Sequence, residues 1–449
     1  MEVLKSPSHL TDNLGKAGPI IARLRENGFR ALLVGGAVRD MLLDRDHQDL
    51  DILTDASLDQ VAALFEGEKT KIAGRTFPVC LVNGIEVSSG RTAPASDAVF
   101  PENDLGRRDF TINAMAFDPR TNTIINPFDG KSDLEQGIIR FTGNPEDRIL
   151  EDPVRMIRAC RFAARFNAEL APSSQEAVLA HAGLMDSRVP GERVRAEILK
   201  AMTLERPSAF FFLLESLGLL SRILPSLSRC AGLDGGPFHA ETVFDHCMLV
   251  GDALPEQFPL LRLAGYVHDT GKFDAAGIKD GRTTFHGHET HSSALETDLD
   301  NLRFSNREKA YILSLVRVHM RPLAEKTSPK SVRRLLALLD AHGLPYQDFM
   351  RMRIADMKGN LAKSPYSLSD IRLRLRKIRD EITTRAAFNL NDLALTGNDI
   401  ADVLEIDPGP EIGRVKNVLF EKVLENPALN NKKDLAKILE TLERKEFDI

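Results

Sequence analysis

The sequence predicts an α+β protein in which a small mixed-sheet domain precedes a long all-helical body. Two observations carry that reading. Strand and helix signals alternate from residue 18 to about residue 140, and from about residue 149 apolar residues recur at helical spacing while strand signals nearly vanish. A chain of 449 residues is also too long for a single core.

The apolar run at 31–34 reads as a buried strand, ended by Gly35 and Gly36. Residues 37–43 read as a helix, and a second strand is expected from Asp49 through Leu53. Strand side chains alternate, so Asp49 and Asp51 would share a face. Residues 79–82 and 85–87 read as strands around an Asn83-Gly84 turn. Residues 112–117 and 124–125 suggest another pair. Breaks at 232–237, 364–369 and 407–410 divide the helical body.

Composition narrows the class. Hydrophobic content is 43% and charged content 28%, as in an ordinary globular protein. The polar, proline-interrupted start is no signal peptide, and no apolar run reaches membrane-spanning length. The four scattered cysteines lack metal or disulfide spacing and suit a reducing cytoplasm. With a net charge of -6, a nucleic-acid partner needs local basic patches.

Three stretches carry chemistry. In "LLVGGAVRDMLLDRDHQDLDILT", two like-charged carboxylates on one face are either solvated charges on a surface strand or, with a cation between them, a Mg²⁺ site opposite a phosphate held by the Gly-Gly turn. In "DLGRRDFTINAMAFD", the adjacent arginines are either a solvated edge or planar forks that suit a triphosphate. In "EDPVRMIRACRFAARF", Arg155, Arg158 and Arg161 recur every three residues along one helical side, with Asp152 one turn before Arg155. Such a stripe is either a solvated face or a ligand face.

In order and spacing these stretches resemble the class II tRNA nucleotidyltransferase family, which also contains bacterial poly(A) polymerases. "VPGERVRAEI" at 189–198 and "LTGNDIADVLEIDPGPEIGRV" at 395–415 are similar to its neck and tail, so the resemblance spans nearly the whole chain. It implies a nucleotidyltransferase head (18–148), a base-reading neck (149–232), a third domain (233–365) and an RNA-binding tail (366–449). By resemblance, Asp49 and Asp51 bind Mg²⁺ for attack of an RNA 3′-hydroxyl on the α-phosphate. Gly35, Gly36 and Arg39 contact the triphosphate, supported by Arg108. Glu86 on a neighbouring strand is either a third carboxylate or a surface residue. Cytosine and adenine both present an exocyclic amine beside a ring acceptor, which uracil and guanine reverse. Asp152 would accept from the amine and Arg155 donate to the ring nitrogen, with Arg158 and Arg161 holding the nucleotide. The implied partners are tRNA, CTP and, for full CCA addition, ATP.

The third domain has its own pattern: His246, then "VHDTGK" with His268, Asp269 and Lys272, then "FHGHETHSS" with His286, His288 and His291, then His319 and Asp356. Seven of the eleven histidines lie in this one segment. The series resembles the HD phosphohydrolase superfamily. It implies a divalent metal, Mg²⁺ or a transition metal, held by His246, His268, Asp269 and Asp356, with Lys272, His288 and His319 in support.

RNA binding in the tail needs positive charge. Residues 369–382 alternate in period two, yet Ile371, Leu375, Ile378 and Ile382 fit a helical stripe capped by Ser369 or Asp370, with Arg372, Arg376 and Arg379 on another face. Lys330, Arg333 and Arg334 form a second cluster, and Pro410 begins a helix whose N-terminus could receive a phosphate.

The family resemblance contains one departure. Full CCA-adding relatives carry a longer flexible segment before the RRD motif, whereas here only "TAPASDAVFPENDLG" separates Arg91 from Arg107. That favours addition of two cytidines alone, with a separate enzyme adding the terminal A. The rival readings are a poly(A) polymerase and a metal phosphohydrolase with an RNA-binding head.

Overall fold

The computed structural model describes residues 14–45, 50–74, 78–90, 100–279, 281–324, 326–383 and 387–441, and the backbone of 2–5. The chain forms two compact units. One comprises residues 1–197 with 212–222, the other residues 198–211 with 223–449. No helix among the described residues is long and apolar enough to cross a membrane.

The first unit is built on an eight-stranded mixed sheet. Its strands are β1 (Glu2–Lys5), β2 (Ala31–Val34), β3 (Asp51–Thr54), β4 (Thr70–Ala73), β5 (Val79–Val82), β6 (Ile85–Ser89), β7 (Ala116–Asp118) and β8 (Thr123–Asn126). Their order is β1-β8-β7-β2-β3-β6-β5-β4. Among the described residues of this sheet, the β3–β6 pair is the one parallel pair. Strand β2 is central, and its four residues are all buried. Leu33 belongs to the core on one side and Leu32 and Val34 to that on the other. A strand covered on both faces reads as a continuous apolar run instead of an alternating one.

Helix α1 (Ala17–Glu26) packs Ile20, Ile21 and Leu24 into the larger core. Helix α2 (Gly36–Leu42) starts directly after β2, with Gly35 as its N-cap. Helix α3 (Leu58–Leu64) begins with a reciprocal Ser57–Gln60 capping box. Helices α4 (Glu102–Leu105), α5 (Gly130–Gln136), α6 (Pro145–Glu151) and α7 (Arg155–Phe166) complete the part that shapes the first site.

Two strand expectations need correction. β3 begins at Asp51, and Leu50 lies outside it. Asp49 falls outside the described residues, so its shared face with Asp51 stays an expectation from sequence. The 112–117 strand begins only at Ala116, because Thr111–Asn113 forms a 3₁₀ turn. Side chains there bond locally: Thr111 donates to Asp133 at 2.6 Å and Asn113 to Asp109 at 2.9 Å. Such bonds offer the backbone an alternative to a ladder.

The second unit is helical apart from the short hairpin Gly277–Lys279 and Arg282–Thr284. Two tail expectations also change. The cap of helix Leu368–Thr383 is Ser367, whose hydroxyl and backbone N–H both bond Asp370. The buried line of that helix is Arg374, Ile378 and Glu381, while Ile382 is exposed. Arg333 is buried, donating to Glu381 at 2.7 Å and to the carbonyls of Leu424 and Glu425. Lys330 pairs with Glu425 and Arg334 with Glu421. The expected basic cluster at 330–334 therefore knits helices together. Arg372, Arg376 and Arg379 do face solvent, and Pro410 opens helix Pro410–Glu425.

Candidate functional site

The turn after β2 determines the first site. Gly35 has a φ of +76°, and a Cβ there would lie 2.3 Å from Arg108 Nη1. Conformation and space both demand glycine. The same notional Cβ would lie 3.6 Å from Asp51 Oδ2, so turn, arginine and carboxylate converge. Parallel pairing sets Glu86 on β6 opposite Asp51 on β3. A cavity of about 450 Å³ opens here, lined by Asp51, Glu86, Ser88, Asp104, Arg107, Arg108, Arg155 and Arg158.

The site has the character of a cation-and-phosphate receptor. Asp51 and Glu86 supply neighbouring oxygen ligands of the kind Mg²⁺ prefers. Among the described residues the buried Arg108 Nε makes no hydrogen bond, and its ion pair with Asp104 is long, at 3.7 Å. A buried guanidinium N–H without an acceptor fits a phosphate oxygen.

Beneath the arginines runs a ladder of opposite charges. Arg158 meets Asp109 at 2.6 Å and Glu197 at 3.6 Å, and Arg161 meets Glu197 at 2.5 Å. Burial works to raise the Asp109 pKa, but Arg158 and Asn113 hold it below the ordinary carboxylate value. Burial lowers the Arg161 guanidinium despite its pairing with Glu197. Asp152 ends α6, and Arg193 grips its carboxylate with two bonds of 2.9 and 2.7 Å. Arg155 donates to Glu151, to the Arg148 carbonyl and to the Arg107 carbonyl.

Of the residues expected here, Asp51, Glu86, Arg108, Arg155 and Arg158 line one cavity around the Gly35 turn. Asp152, Arg39 and Arg161 do not line it. Arg39 is only 3% exposed and bonds Asp40 and Asn113, so it does not line the cavity. Gly36 sits over that buried guanidinium. Arg161 turns down into the ladder, because one further turn of α7 carries it below the cavity floor. Arg193, Glu197 and Asp104 were not anticipated. Their signal was available in the "GERVRAE" and "DLGRR" stretches, where acids and arginines recur at helical spacing.

The second unit gathers the histidines. His246 lies on helix Val243–Ala253, His268 caps Pro259–Val267, His319 caps Asn306–Val318, and Asp356 lies on Tyr346–Gly359. His246 Nε2 is 3.2 Å from Asp356 Oδ1, and His268 Nε2 is 3.3 Å from Asp269 Oδ2. The other oxygen, Asp269 Oδ1, faces His288 Nε2 at 3.0 Å and His319 Nε2 at 3.5 Å. Lys272 Nζ reaches Asp269 Oδ2 at 2.7 Å. The quartet expected from sequence and its three supporting residues are thus in one place.

Tautomers follow from backbone contacts. Nδ1 of His268, His288 and His319 faces the carbonyl of Gly265, Phe285 and Val316, at 2.8, 2.9 and 2.5 Å. A carbonyl only accepts, so each Nδ1 carries a proton and each Nε2 is the atom turned toward the cluster. The buried His268 Nε2 has no hydrogen-bond partner among the described residues, which suits a metal ligand. Burial lowers the His268 pKa. Burial works to raise Asp269, but His268 and Lys272 hold it well below the ordinary value. A cavity of about 440 Å³ opens onto the cluster, bordered by Phe238, Phe285, Arg353 and Lys363. His239 also lines it, with Nδ1 at 2.6 Å from buried Glu241, a pair that the sequence reading passed over.

Comparison with known proteins agrees with this architecture. Residues 31–140 match the family described as Poly A polymerase head domain, and residues 167–230 that described as Probable RNA and SrmB- binding site of polymerase A. The chain is 32% identical over 393 residues to the Multifunctional CCA protein of Nitrosomonas europaea, covering 80% of this chain and 91% of that one. It is 30% identical over 410 residues to the A-adding tRNA nucleotidyltransferase of Deinococcus radiodurans, covering 87% and 91%. The crystal structure of the Bacillus stearothermophilus CCA-adding enzyme with CTP shares the fold, at a TM-score of 0.66 and 24% identity over 95% of this chain and 97% of that one. With the Gly-Gly turn, the arginine-lined cavity and these full-length matches together, the chain belongs to the class II tRNA nucleotidyltransferase and poly(A) polymerase family.

Proposed function

We propose that the first unit adds nucleotides, without a template, to the 3′ end of tRNA, placing two cytidines and then stopping. The carrying observation is the convergence of Asp51, Glu86 and Arg108, whose Nε makes no hydrogen bond among the described residues, on the Gly35 turn. Mg²⁺ held by Asp51, with Asp49 and Glu86, would lower the pKa of the attacking 3′-hydroxyl and neutralise the leaving pyrophosphate. Arg108 donates to the triphosphate, and Arg107 and Arg158 add positive charge along the same wall. Asp152 accepts from the exocyclic amine of the incoming base, and Arg155 donates to its ring nitrogen. Arg193 donates to both oxygens of the Asp152 carboxylate and the Val154 N–H donates to Oδ1, which leaves Oδ2 to accept from the base. A base with the reversed pattern would leave both groups unpaired. The stop after two cytidines rests on the short segment before Arg107, of which residues 91–99 lie outside the described residues. The test is product sequencing after a tRNA lacking CCA is incubated with CTP and ATP. Two cytidines support the proposal, complete CCA ends refute the stop, and long A tails make the enzyme a poly(A) polymerase.

A second activity, hydrolysis of phosphoesters such as a 2′,3′-cyclic phosphate on RNA ends, is favoured by the histidine cluster. His246, His268, Asp269 and Asp356 would hold a divalent cation, which supplies a Lewis acid for attack by water. His288 Nε2 and His319 Nε2 meet in a hydrogen bond of 3.3 Å, with Asp269 Oδ1 at 3.0 and 3.5 Å from them. Once that shared proton is lost, His288 and His319 would be able to hold a second cation together with Asp269. Hydrolysis of a cyclic nucleotide with Mn²⁺, Ni²⁺, Co²⁺ or Mg²⁺, and its loss in Asp269→Asn, tests the activity. Two equivalents of bound metal against one tests the second cation.

A further inference from the structure

We infer that Arg39 is a positioning residue for nucleotide addition, a buried guanidinium that fixes the phosphate turn, the RRD loop and helix α7 relative to one another. The inference rests on the nucleotide addition proposed above.

Arg39 sits on the first turns of α2, directly after the Gly35-Gly36 turn. Its side chain is 4% exposed, and its fork is used in three directions. Nε and Nη2 clamp Asp40 at 2.8 and 2.9 Å. Nη1 donates to Asn113 Oδ1 at 2.5 Å. The guanidinium carbon lies 5.3 and 5.0 Å from the ring centres of Phe162 and Phe166 on α7. Arg165, also on α7, donates to Asp40 at 3.3 Å. Asn113 donates in turn to Asp109 at 2.9 Å, and Asp109 holds Arg158 at the cavity wall. An unbroken chain, Arg39–Asn113–Asp109–Arg158, therefore runs from the turn expected to cradle phosphate to an arginine beside the nucleotide.

Hydrating a guanidinium is far easier than burying one, so a buried arginine in this position needs several partners at once. A lysine would keep the charge but lose the planar fork and its contact with the two rings. Each end of the nucleotide would then keep its own contacts while the distance between the ends relaxed. In-line attack depends on that distance, and a 1 Å misplacement costs on the order of 100-fold.

The test compares the full-length parent with Arg39→Lys and with the isosteric Asp40→Asn, using tRNA lacking CCA and either CTP or UTP. Arg39→Lys is expected to lower kcat for CTP about 100-fold while KM stays within about threefold. Its preference for CTP over UTP in kcat/KM should fall about tenfold, since the base-reading helix is no longer held against the phosphate turn. Asp40→Asn should show the same pattern more weakly, and CTP-binding stoichiometry should match the parent in both. Unchanged kcat and preference in Arg39→Lys would overturn the inference. So would a lowered kcat with intact preference and fewer CTP sites, which marks a fold defect alone. A KM increase with kcat preserved would also overturn it, because Arg39 would then touch the triphosphate itself. A parent that adds no nucleotide refutes the proposed function and this role with it, before any variant is compared.

Discussion

The arginine cavity of the first unit and the histidine cluster of the second are both polar, yet they are organised in opposite ways. In the first, side chains hold side chains: Arg158 is set by Asp109 and Glu197, and Asp152 by Arg193. In the second, the backbone does the holding, since three imidazoles donate Nδ1–H to carbonyls three residues earlier. A site fixed by salt bridges can shift when a new charge arrives, which suits a nucleotide that binds and leaves. A site fixed by backbone bonds keeps its lone pairs in place before any cation arrives.

The largest expected effects test whether the two sites are separate. Asp51→Ala should reduce nucleotide addition by about 10³-fold or more, with the melting temperature unchanged and any hydrolysis retained. Asp269→Asn should do the reverse, abolishing metal uptake and hydrolysis while sparing addition. If either variant loses both activities while melting cooperatively, the contrast collapses.

A smaller effect concerns stability and pH. Asp269 is held well below its ordinary value by His268 and Lys272 against the opposing effect of burial. A carboxylate depressed on folding stabilises the protein above its unfolded pKa of about 4, and that stabilisation is lost as pH falls through the folded value. In metal-free protein, the melting-temperature gap between parent and Asp269→Asn should be full at pH 7 and shrink below about pH 4. A gap that does not change between pH 7 and pH 3 would break this reading.

The smallest effects divide the tail arginines. Arg333→Ala leaves buried Glu381 without its partner and should cost roughly 3–5 kcal/mol, measured by chemical denaturation. Arg372→Ala removes an exposed charge. It should leave stability within about 0.5 kcal/mol and reduce the salt slope of tRNA binding by about 1. Equal destabilisation by the two would show that exposure does not separate their roles.

Much of this was legible in the sequence. The division between a sheet-containing front and a helical remainder followed from hydrophobic period, and the Gly-Gly turn from its position after an apolar run. The histidines were countable, and the resemblance to the HD series implied the group that the helices bring together. Arginine was the obscure residue. A three-residue spacing places Arg155, Arg158 and Arg161 along one side of α7, but it does not say where the cavity floor cuts that side. Arg158 stays above the floor and Arg161 passes beneath it. Arg39 and Arg333 likewise read as ligand-facing charges and are buried links, because their acceptors, Asn113 and Glu381, are distant in sequence.

The ladder Asp109–Arg158–Glu197–Arg161 has a consequence for how this protein changes over generations. Two positive and two negative groups sum to zero, so replacing any one leaves an odd charge under the nucleotide. Such positions should therefore change together. A genetic selection that begins from Glu197→Gln should recover activity through a second change that removes charge at Arg161, and seldom through changes on the outer surface.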